Sequence, residues 1–224
     1  MGRGIGAHGL GQAVTARRIL YVVDDEAIVR ASIISLVQAH GDFECREYHS
    51  GESFVEAIDA FEPGCVVLDL QLEGLSGMAV MEALSGRIDQ FPTVVITGYG
   101  DFTAAVGAFQ AGAVDFLYKP YEMRPLLDAI DRAFHLLEHG VEPPELVAEA
   151  RARFDGLNAL EAQVMAGLVA GHTNQDISEA MAIEPRAVQV HRARALAAIE
   201  APSVLAAIRK AAIAGWFEPD PDTP

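Results

Sequence analysis

Five side chains with complementary chemistry stand at the ends of four short apolar runs of the sequence. Asp24 and Asp25 follow the first run, and Asp69 follows the second. Thr97 and Lys119 follow the remaining two. Because ligand sites in open α/β sheets lie beyond the carboxyl ends of the strands, we predict that these side chains meet at one edge of a sheet.

Together these side chains could hold a metal ion and accept a phosphoryl group. Clustered carboxylates need a cation between them, and all-oxygen ligation with room for water favours Mg²⁺. One carboxylate could then attack a phosphoryl group to form an acyl phosphate, whose oxygens Thr97 and Lys119 could stabilise. One aspartate at a strand end is often only a helix cap, but five residues so placed are improbable as caps or solvated charges.

A phosphatase of the halogen-acid-dehalogenase type is an alternative, because it also uses a nucleophilic aspartate at a strand end. Such enzymes usually carry D-x-D-x-[TV] after the first strand, whereas the first strand here ends in Asp24-Asp25-Glu26. We therefore predict that the protein is not an enzyme. Sustained turnover of a small phosphate ester would contradict this interpretation.

The elements that position these residues alternate between strand and helix patterns. The four runs are near-continuous and rich in β-branched residues, which is typical of parallel strands covered on both faces. A weaker alternating segment predicts one more strand, and helical patterns lie between the strands. The sequence therefore predicts a doubly wound α/β domain with a five-stranded parallel sheet over residues 17–139. The predicted strands are Ile19–Val23, Phe43–Tyr48, Cys65–Leu68, Thr93–Ile96 and Val114–Leu117.

The pattern changes near residue 140, where glycine and two prolines interrupt an acidic stretch. We interpret residues 140–152 as a linker and residues 153–216 as a small all-helical domain. Residues 1–16 are predicted to be a flexible leader and residues 217–224 an acidic disordered tail. The leader contains G-x-G-x-x-G at residues 4–9, but this motif precedes the first strand, so a dinucleotide site is disfavoured.

Composition excludes several classes of protein. An apolar fraction of 51% predicts a folded core, and the longest apolar runs are too short for a membrane span. Two cysteines outside any metal-binding motif argue against a disulfide scaffold or a zinc module. The net charge of −16 disfavours wholesale binding to nucleic acid, so any DNA contact needs a local basic stripe. We predict a cytoplasmic location and no membrane partner.

The first domain resembles the receiver domain of two-component response regulators. The resemblance rests on the segments "ILYVVDDE", "CVVLDLQLEGLSG", "PTVVITGYGD" and "AGAVDFLYKP", which span most of residues 19–138. It implies a flavodoxin-like fold and phosphorylation by a sensor histidine kinase. Many relatives have proline where Glu73 stands, a departure that removes no expected ligand.

The resemblance also implies a function for each site residue. Asp69 would be the phosphoacceptor, Asp25 would bind Mg²⁺ directly and Asp24 would bind it through water. The carbonyl of Gln71 would complete the metal ligands from the protein. Thr97 and Lys119 would hold the phosphoryl oxygens, and the aromatic residue Phe116 would reposition after phosphorylation.

The second domain contains a helix-turn-helix pattern. Two short helical segments are joined by a turn at Ala182–Pro185, with the proline suited to the first position of a helix. From spacing alone, a DNA-binding domain and a generic docking domain are about equally favoured. The "VQVHRAR" segment and the preceding helices are similar to the LuxR-type output domain of FixJ/NarL response regulators, which favours DNA binding.

The resemblance divides the predicted DNA contacts into two kinds. Residues expected to face bases are Gln189, Val190 and Ala193, and residues expected to contact phosphates are Arg192 and Arg194. Relatives commonly carry lysine or threonine at three positions that hold Gln175, Ala187 and Ala198 here. Each lost phosphate contact weakens DNA binding.

The sequence thus predicts a response regulator that a histidine kinase phosphorylates on Asp69. Phosphorylation is expected to favour a homodimer through the fourth helix and fifth strand, followed by promoter binding. The alternative is a phosphorylation-gated adaptor whose helical domain binds a protein. The acidic total charge and the substituted phosphate positions favour the adaptor, and the arginine-bearing helix argues against it.

Overall fold

The computed structural model describes residues 18–98 and 102–216. Five parallel strands form one sheet in the order β2-β1-β3-β4-β5, which confirms the predicted fold class. The strands are β1 Arg18–Val23, β2 Phe43–Tyr48, β3 Cys65–Asp69, β4 Thr93–Thr97 and β5 Asp115–Tyr118. The predicted leader, residues 1–16, and the predicted tail, residues 217–224, lie outside the described residues.

Helices cover both faces of this sheet. They are α1 Ala27–His40, α2 Gly51–Ala57, α3 Gly77–Leu84, α4 Phe102–Gln110 and α5 Met123–His139. Ile33 of α1 and Ile130 of α5 belong to the core on one face, whereas Phe54, Val80 and Phe109 of the other three helices belong to the core on the opposite face. This two-sided burial explains why the strands are apolar throughout rather than alternating.

The strand order creates the crevice in which a ligand site is expected. The chain passes from β1 outward to β2 and then returns to the other side of β1, where β3 pairs with it. In doubly wound sheets, ligands bind beyond the carboxyl ends of the strands at such a reversal. Asp24 follows the last residue of β1, and Asp69 is the last residue of β3.

The second domain consists of helices. They are α6 Pro144–Asp155, α7 Ala159–Val169, α8 Asn174–Met181, α9 Pro185–Ala198 and α10 Val204–Ala214. Asn158 and Thr173 begin α7 and α8 with reciprocal capping boxes, which satisfy backbone N–H groups at the helix starts. Ala182, with φ of 51°, ends α8 in the left-handed region, and α9 follows at Pro185 to complete the helix-turn-helix.

The segment 140–152, which the sequence predicts to be a linker, is largely helical. The helix α6 occupies most of it, and Phe154 at its C-terminal end is buried in the core of the helical domain. Pro144 stands at the first position of this helix, where a proline lacks no needed hydrogen bond. The interruption is therefore confined to residues 140–143.

The two domains are in contact through α10. Ile208 of α10 is completely buried in the same cluster as Val106 and Phe109 of α4. Arg209 Nη1 of α10 lies 3.1 Å from Asp115 Oδ2 of β5. The helical domain therefore covers the α4–β5 face of the first domain.

Candidate phosphoacceptor site and nucleic-acid interface

Three carboxylates converge beyond the ends of β1 and β3. Asp24 is completely buried, Asp69 is 3% exposed and Asp25 is half-buried. One oxygen from each carboxylate lies within 4.8 Å of one from each of the others. We refer to Asp24, Asp25, Asp69 and Lys119 as the acid pocket. The structure thus brings together the three predicted aspartates.

Backbone N–H groups fix two of these carboxylates in the same way. The N–H of Glu26 donates to Asp24 Oδ1 at 2.8 Å, and the N–H of Gln71 donates to Asp69 Oδ1 at 2.8 Å. In each case the donor lies two residues after the aspartate, as in an Asx turn. The pairing holds one oxygen of each carboxylate and leaves Oδ2 directed at another partner.

That partner is the ammonium group of Lys119. Its Nζ lies 2.8 Å from Asp24 Oδ2 and 2.6 Å from Asp69 Oδ2, with Glu26 Oε1 further away at 3.3 Å. Burial alone would lower the pKa of Lys119, but the hydrogen bonds and charges of the two aspartates outweigh it and raise that pKa. Lys119 is therefore a permanent cation at neutral pH.

Burial has the opposite consequence for the carboxyl group of Asp24. Desolvation raises its pKa, and the hydrogen bond from Lys119 offsets this only in part. A buried carboxylate group with a single lysine is thus short of positive charge.

The donor set fits a magnesium ion. Carboxylate oxygens from Asp24, Asp25 and Asp69 are hard ligands, and Asp25 is partly open to solvent, which leaves room for water. The backbone N–H of Gln71 contacts Asp69, so the backbone of Gln71 lies at the edge of the same group. These observations support a cation site in the acid pocket.

Thr97 and Phe116 occupy neighbouring strands beside the acid pocket. Thr97 ends β4 and is completely buried, and its carbonyl oxygen accepts a hydrogen bond from the N–H of Lys119 at 2.7 Å. Phe116 of β5 is 1% exposed and contacts the ring of Tyr118 edge-on at 5.1 Å between centroids. The predicted switch aromatic is therefore turned inward.

A glycine allows α3 to begin close to the phosphoacceptor candidate. A Cβ atom at Gly77 would lie 2.2 Å from the carbonyl oxygen of Asp69 and 2.6 Å from Leu70 Cα. Both contacts are with backbone atoms that cannot move without displacing the end of β3. Any side chain at position 77 would consequently distort the acid pocket.

Sequence reasoning missed Arg30 of α1. Its Nη1 donates to the carbonyl oxygens of Asp24 at 2.7 Å and Asp25 at 3.2 Å, and its Nε donates to Glu47 Oε2 at 3.0 Å. The guanidinium group thus ties the loop after β1 to α1 and β2. An arginine in the second turn of the helix after an aspartate pair was the available signal.

The predicted DNA-contact residues lie on α9, and most of them face solvent. Gln189, Val190, Ala193 and Arg194 are exposed. Arg192 is half-buried, and its Nη1 lies 3.3 Å from Asn174 Oδ1 of α8. Buried residues on the opposite face of α9 hold it in the helical core, and they are Val188 and Ala195. Contact with α4 and β5 therefore leaves these positions open.

The contact between the domains centres on a second buried carboxylate. Asp115 is 3% exposed, and its Oδ2 lies 3.2 Å from Arg132 Nη1 of α5 and 3.1 Å from Arg209 Nη1 of α10. Asp115 is the neighbour of Phe116 on β5. A displacement of that aromatic residue would therefore act directly on the contact with α10.

Comparison with known proteins agrees with this division into two units. Residues 20–131 match the family model "Response regulator receiver domain", and residues 155–211 match "Bacterial regulatory proteins, luxR family". No helix within residues 18–98 and 102–216 is long and apolar enough to cross a membrane.

Individual relatives extend over nearly the whole chain. The transcriptional regulatory protein FixJ of Bradyrhizobium diazoefficiens is 34% identical over 91% of this chain and 99% of its own length. FixJ of Rhizobium meliloti is 36% identical over 89% of this chain and 97% of its own. Among solved structures, full-length FixJ from B. japonicum has a TM-score of 0.52 and 34% identity, covering 90% of this chain and 99% of that one.

Proposed function

The chain belongs to the FixJ-like response regulators, which join a receiver domain to a LuxR-type DNA-binding domain, and we propose that a sensor histidine kinase phosphorylates it on Asp69. The observation that carries this proposal is the convergence of Asp24, Asp25 and Asp69 on Lys119 Nζ. We assign residues 17–139 to the receiver. The LuxR-type domain is assigned to residues 153–216, with α6 as the helix that leads into it.

The reaction is the transfer of a phosphoryl group to a carboxylate. Asp69 Oδ2 attacks phosphorus, the P–N bond to the kinase histidine breaks, and the electron pair leaves with the imidazole. Lys119 Nζ lies 2.6 Å from the attacking oxygen and is placed to contact the phosphoryl oxygens after the transfer. When bound, Mg²⁺ would neutralise developing charge on those oxygens, held by Asp25, Asp69 and the Gln71 carbonyl, with Asp24 acting through water.

Apolar side chains beside the acid pocket offer a surface for the kinase. Ile28, in the first turn of α1, is 78% exposed, and Met123, the first residue of α5, is 62% exposed. They follow Asp25 and Lys119 closely along the chain. We propose that these two exposed side chains contribute to the surface that contacts the kinase.

Phosphorylation changes the charge balance in the acid pocket. The phosphoryl group adds about −1.5 to −2 charges at neutral pH, which draws the Thr97 hydroxyl and Lys119 toward Asp69. Phe116 then moves into the space beside Thr97, and its neighbour Asp115 shifts with it. This shift weakens the contact between α10 and the α4–β5 face and favours a chain whose domains are separated. The size of the effect equals the difference between the free energies by which phosphorylation stabilises these two conformations.

The contact of α10 with α4 and β5, which we call the closed arrangement, supports an output that depends on phosphorylation. In the structure α10 covers α4 and β5, the face through which we propose that two receivers dimerise. Dimerisation and the α10 contact are therefore mutually exclusive. The exposed face of α9 is open both in the closed chain and in the dimer. What the single chain lacks for tight binding to DNA is therefore a second copy of α9.

In the DNA complex we propose that α9 lies in the major groove. Gln189, Val190 and Ala193 would face bases, whereas Arg192 and Arg194 would contact phosphates and orient the helix. These functions assign the protein to the cytoplasm, with promoter DNA and a histidine kinase as partners and no catalytic turnover of its own.

The adaptor remains the second candidate, because specific residues favour it. Gln175 and Ala198 are exposed at positions where relatives carry a basic side chain, and the net charge is −16. Retention of the full chain on heparin at low salt would favour the DNA-binding function over the adaptor.

The decisive experiment is a pull-down of genomic fragments with Mg²⁺ and beryllofluoride, an acyl-phosphate mimic, using Asp69→Asn as control. We expect discrete fragments to be enriched only with the activated wild-type chain. No enrichment in a sample that dimerises on activation would instead favour the adaptor. Separately, radiolabel from a phosphorylated kinase should enter the wild type but not Asp69→Asn, and stable labelling of that variant would refute the assignment of Asp69.

A further inference from the structure

A cavity of about 430 Å³ lies between the receiver and the LuxR-type domain, away from the acid pocket. Apolar side chains from both domains line it, including Phe109 and Leu136 of the receiver and Ile213 of α10. Its size falls within the range of small-molecule sites, and such sites occur preferentially between domains.

Two charged side chains in the wall of this cavity have buried atoms without a hydrogen-bond partner. They are Oε2 of Glu142, in the short interruption between α5 and α6, and Nε of Arg209. Only one other buried side-chain atom of the described residues lacks a partner, and it belongs to His191 on α9. Unpaired polar atoms therefore concentrate at this cavity.

The unpaired atoms differ in hydrogen-bonding character. Arg209 Nη1 is held by Asp115, so Nε remains as a donor in a fixed orientation. Burial raises the pKa of Glu142, while the charges of Arg132, His135 and Arg209 partly oppose that rise. An unsatisfied buried polar group destabilises a protein, so an occupant that pairs with both atoms is favoured.

We propose that this cavity binds a small, mainly apolar molecule that carries a carboxamide-type group. The carbonyl oxygen of the ligand accepts from Arg209 Nε, and its N–H donates to Glu142 Oε2. The apolar part lies among Phe109, Leu136 and Ile213. The ligand needs an acceptor for Arg209 Nε, a donor for Glu142 Oε2 and an apolar body for the rest of the cavity. A simple carboxylate lacks the donor, and an amine lacks the acceptor.

Binding at this site has a direct consequence for the conformation of the chain. Arg209 belongs to α10, whereas Phe109 and Leu136 belong to the receiver, so the complete site exists only while the domains are in contact. A ligand that binds one conformation shifts the population toward it. The ligand therefore stabilises the closed chain by a route independent of Asp69.

The test uses 2-naphthamide as a fluorescent probe with the full-length, unphosphorylated chain. Saturable binding is expected from a rise in naphthyl anisotropy. N,N-dimethyl-2-naphthamide keeps the ring and carbonyl but lacks the N–H, and it should bind about tenfold more weakly. Equal affinity for the two probes, or no saturable binding of 2-naphthamide, would overturn the proposal.

Two substitutions of similar size at Glu142 separate hydrogen bonding from apolar contact. Glu142→Leu removes the acceptor and should weaken 2-naphthamide binding about tenfold, whereas Glu142→Gln keeps a side-chain carbonyl and should bind within about twofold of wild type. Glu145→Leu is the matched control, since Glu145 is exposed on α6 and does not line the cavity.

The dimethyl probe completes the comparison. Because it cannot donate to Glu142, its affinity should be the same for the wild type and Glu142→Leu. Tighter binding of 2-naphthamide to Glu142→Leu would show that the cavity is merely apolar and would refute the proposed pairing. Thermal unfolding of each variant confirms that the chain is folded.

Discussion

Asp69 and Asp115 are both buried aspartates of the same sheet, yet they lie at opposite ends of its strands. Asp69 is the last residue of β3, and Asp115 is the first residue of β5. In both, Oδ1 accepts from a nearby backbone N–H and Oδ2 faces cations. The cations differ, because Asp69 faces one lysine in a group of three carboxylates and Asp115 faces two arginines.

This difference shows how charge balance separates a candidate phosphoacceptor from a structural carboxylate. The acid pocket holds more negative than positive charge, so it has capacity for a metal ion and can benefit from neutralising chemistry. The Asp115 carboxylate is paired with arginines from two domains, and the Glu142 carboxylate interacts with the same charges. It is a contact that can be broken, and among the described residues Asp115 belongs to no group of three potential metal ligands.

The largest expected effect on stability comes from replacing Asp115 with asparagine, and the same replacement of Asp69 provides the comparison. Asp115→Asn leaves two arginines without their carboxylate and should lower the free energy of unfolding by about 3 kcal/mol. Asp69→Asn removes one of three mutually repelling charges and should change that free energy by less than about 1 kcal/mol. Urea denaturation of both variants measures the difference, and equal losses would remove the distinction between the two sites.

Arg209→Ala should open the chain, whereas Arg132→Ala should not. Arg209 is the cation that reaches Asp115 from the other domain, and its side chain is 36% exposed. Its removal should shift the closed-to-open ratio roughly thirtyfold, or about 2 kcal/mol. Small-angle scattering would show an increased radius of gyration for Arg209→Ala alone. An increase of the same size in Arg132→Ala would mean that both arginines hold the domains together.

Substitution of Arg30 tests whether geometry or charge dominates in the acid pocket. Removing a nearby cation would by itself tighten Mg²⁺ binding, whereas releasing the carbonyls of Asp24 and Asp25 would loosen the ligand loop. We expect the loop to dominate, so that Arg30→Gln weakens Mg²⁺ binding about tenfold in isothermal titration calorimetry. Arg30→Lys retains the charge but not the two-carbonyl contact, and it should recover only part of the loss. Tighter binding in Arg30→Gln would show that charge dominates.

The smallest effect is the stabilisation of the acid pocket by Mg²⁺ itself. At a free concentration threefold above its Kd, Mg²⁺ should raise the free energy of unfolding by about 0.8 kcal/mol, and EDTA should reverse the change. Asp25→Asn should abolish this increase, while Arg209→Ala should retain it because the Asp115 cluster takes no part. An unchanged increase in Asp25→Asn would place the ion elsewhere.

The acid pocket could be predicted because its residues follow a rule of topology. The carboxyl ends of parallel strands meet at one edge, so strand ends alone placed Asp24, Asp69 and Lys119 together. The predicted five-stranded parallel sheet is likewise confirmed. Arg30 escaped prediction because two of its three contacts are with backbone carbonyls, which residue types in a sequence do not reveal.

The contact between domains could not be predicted from local patterns. Asp115 and Arg209 are 94 residues apart, and no rule of spacing connects a strand start with a helix in another domain. Similarly, Pro143 and Pro144 indicated a linker, although Pro144 is the first residue of α6. The assignments of the base-facing residues on α9 stay predictions, since exposure alone does not identify what a side chain reads.

The late position of α10 in the chain has a consequence for biosynthesis. The ribosome completes α4 and β5 well before it reaches Arg209, 94 residues after Asp115. At about 5–20 residues per second, this interval lasts roughly 5–20 s. During that time Val106 and Phe109 lack the cover that Ile208 later provides. Nascent receivers on neighbouring ribosomes therefore present to one another the face that the finished chain keeps covered.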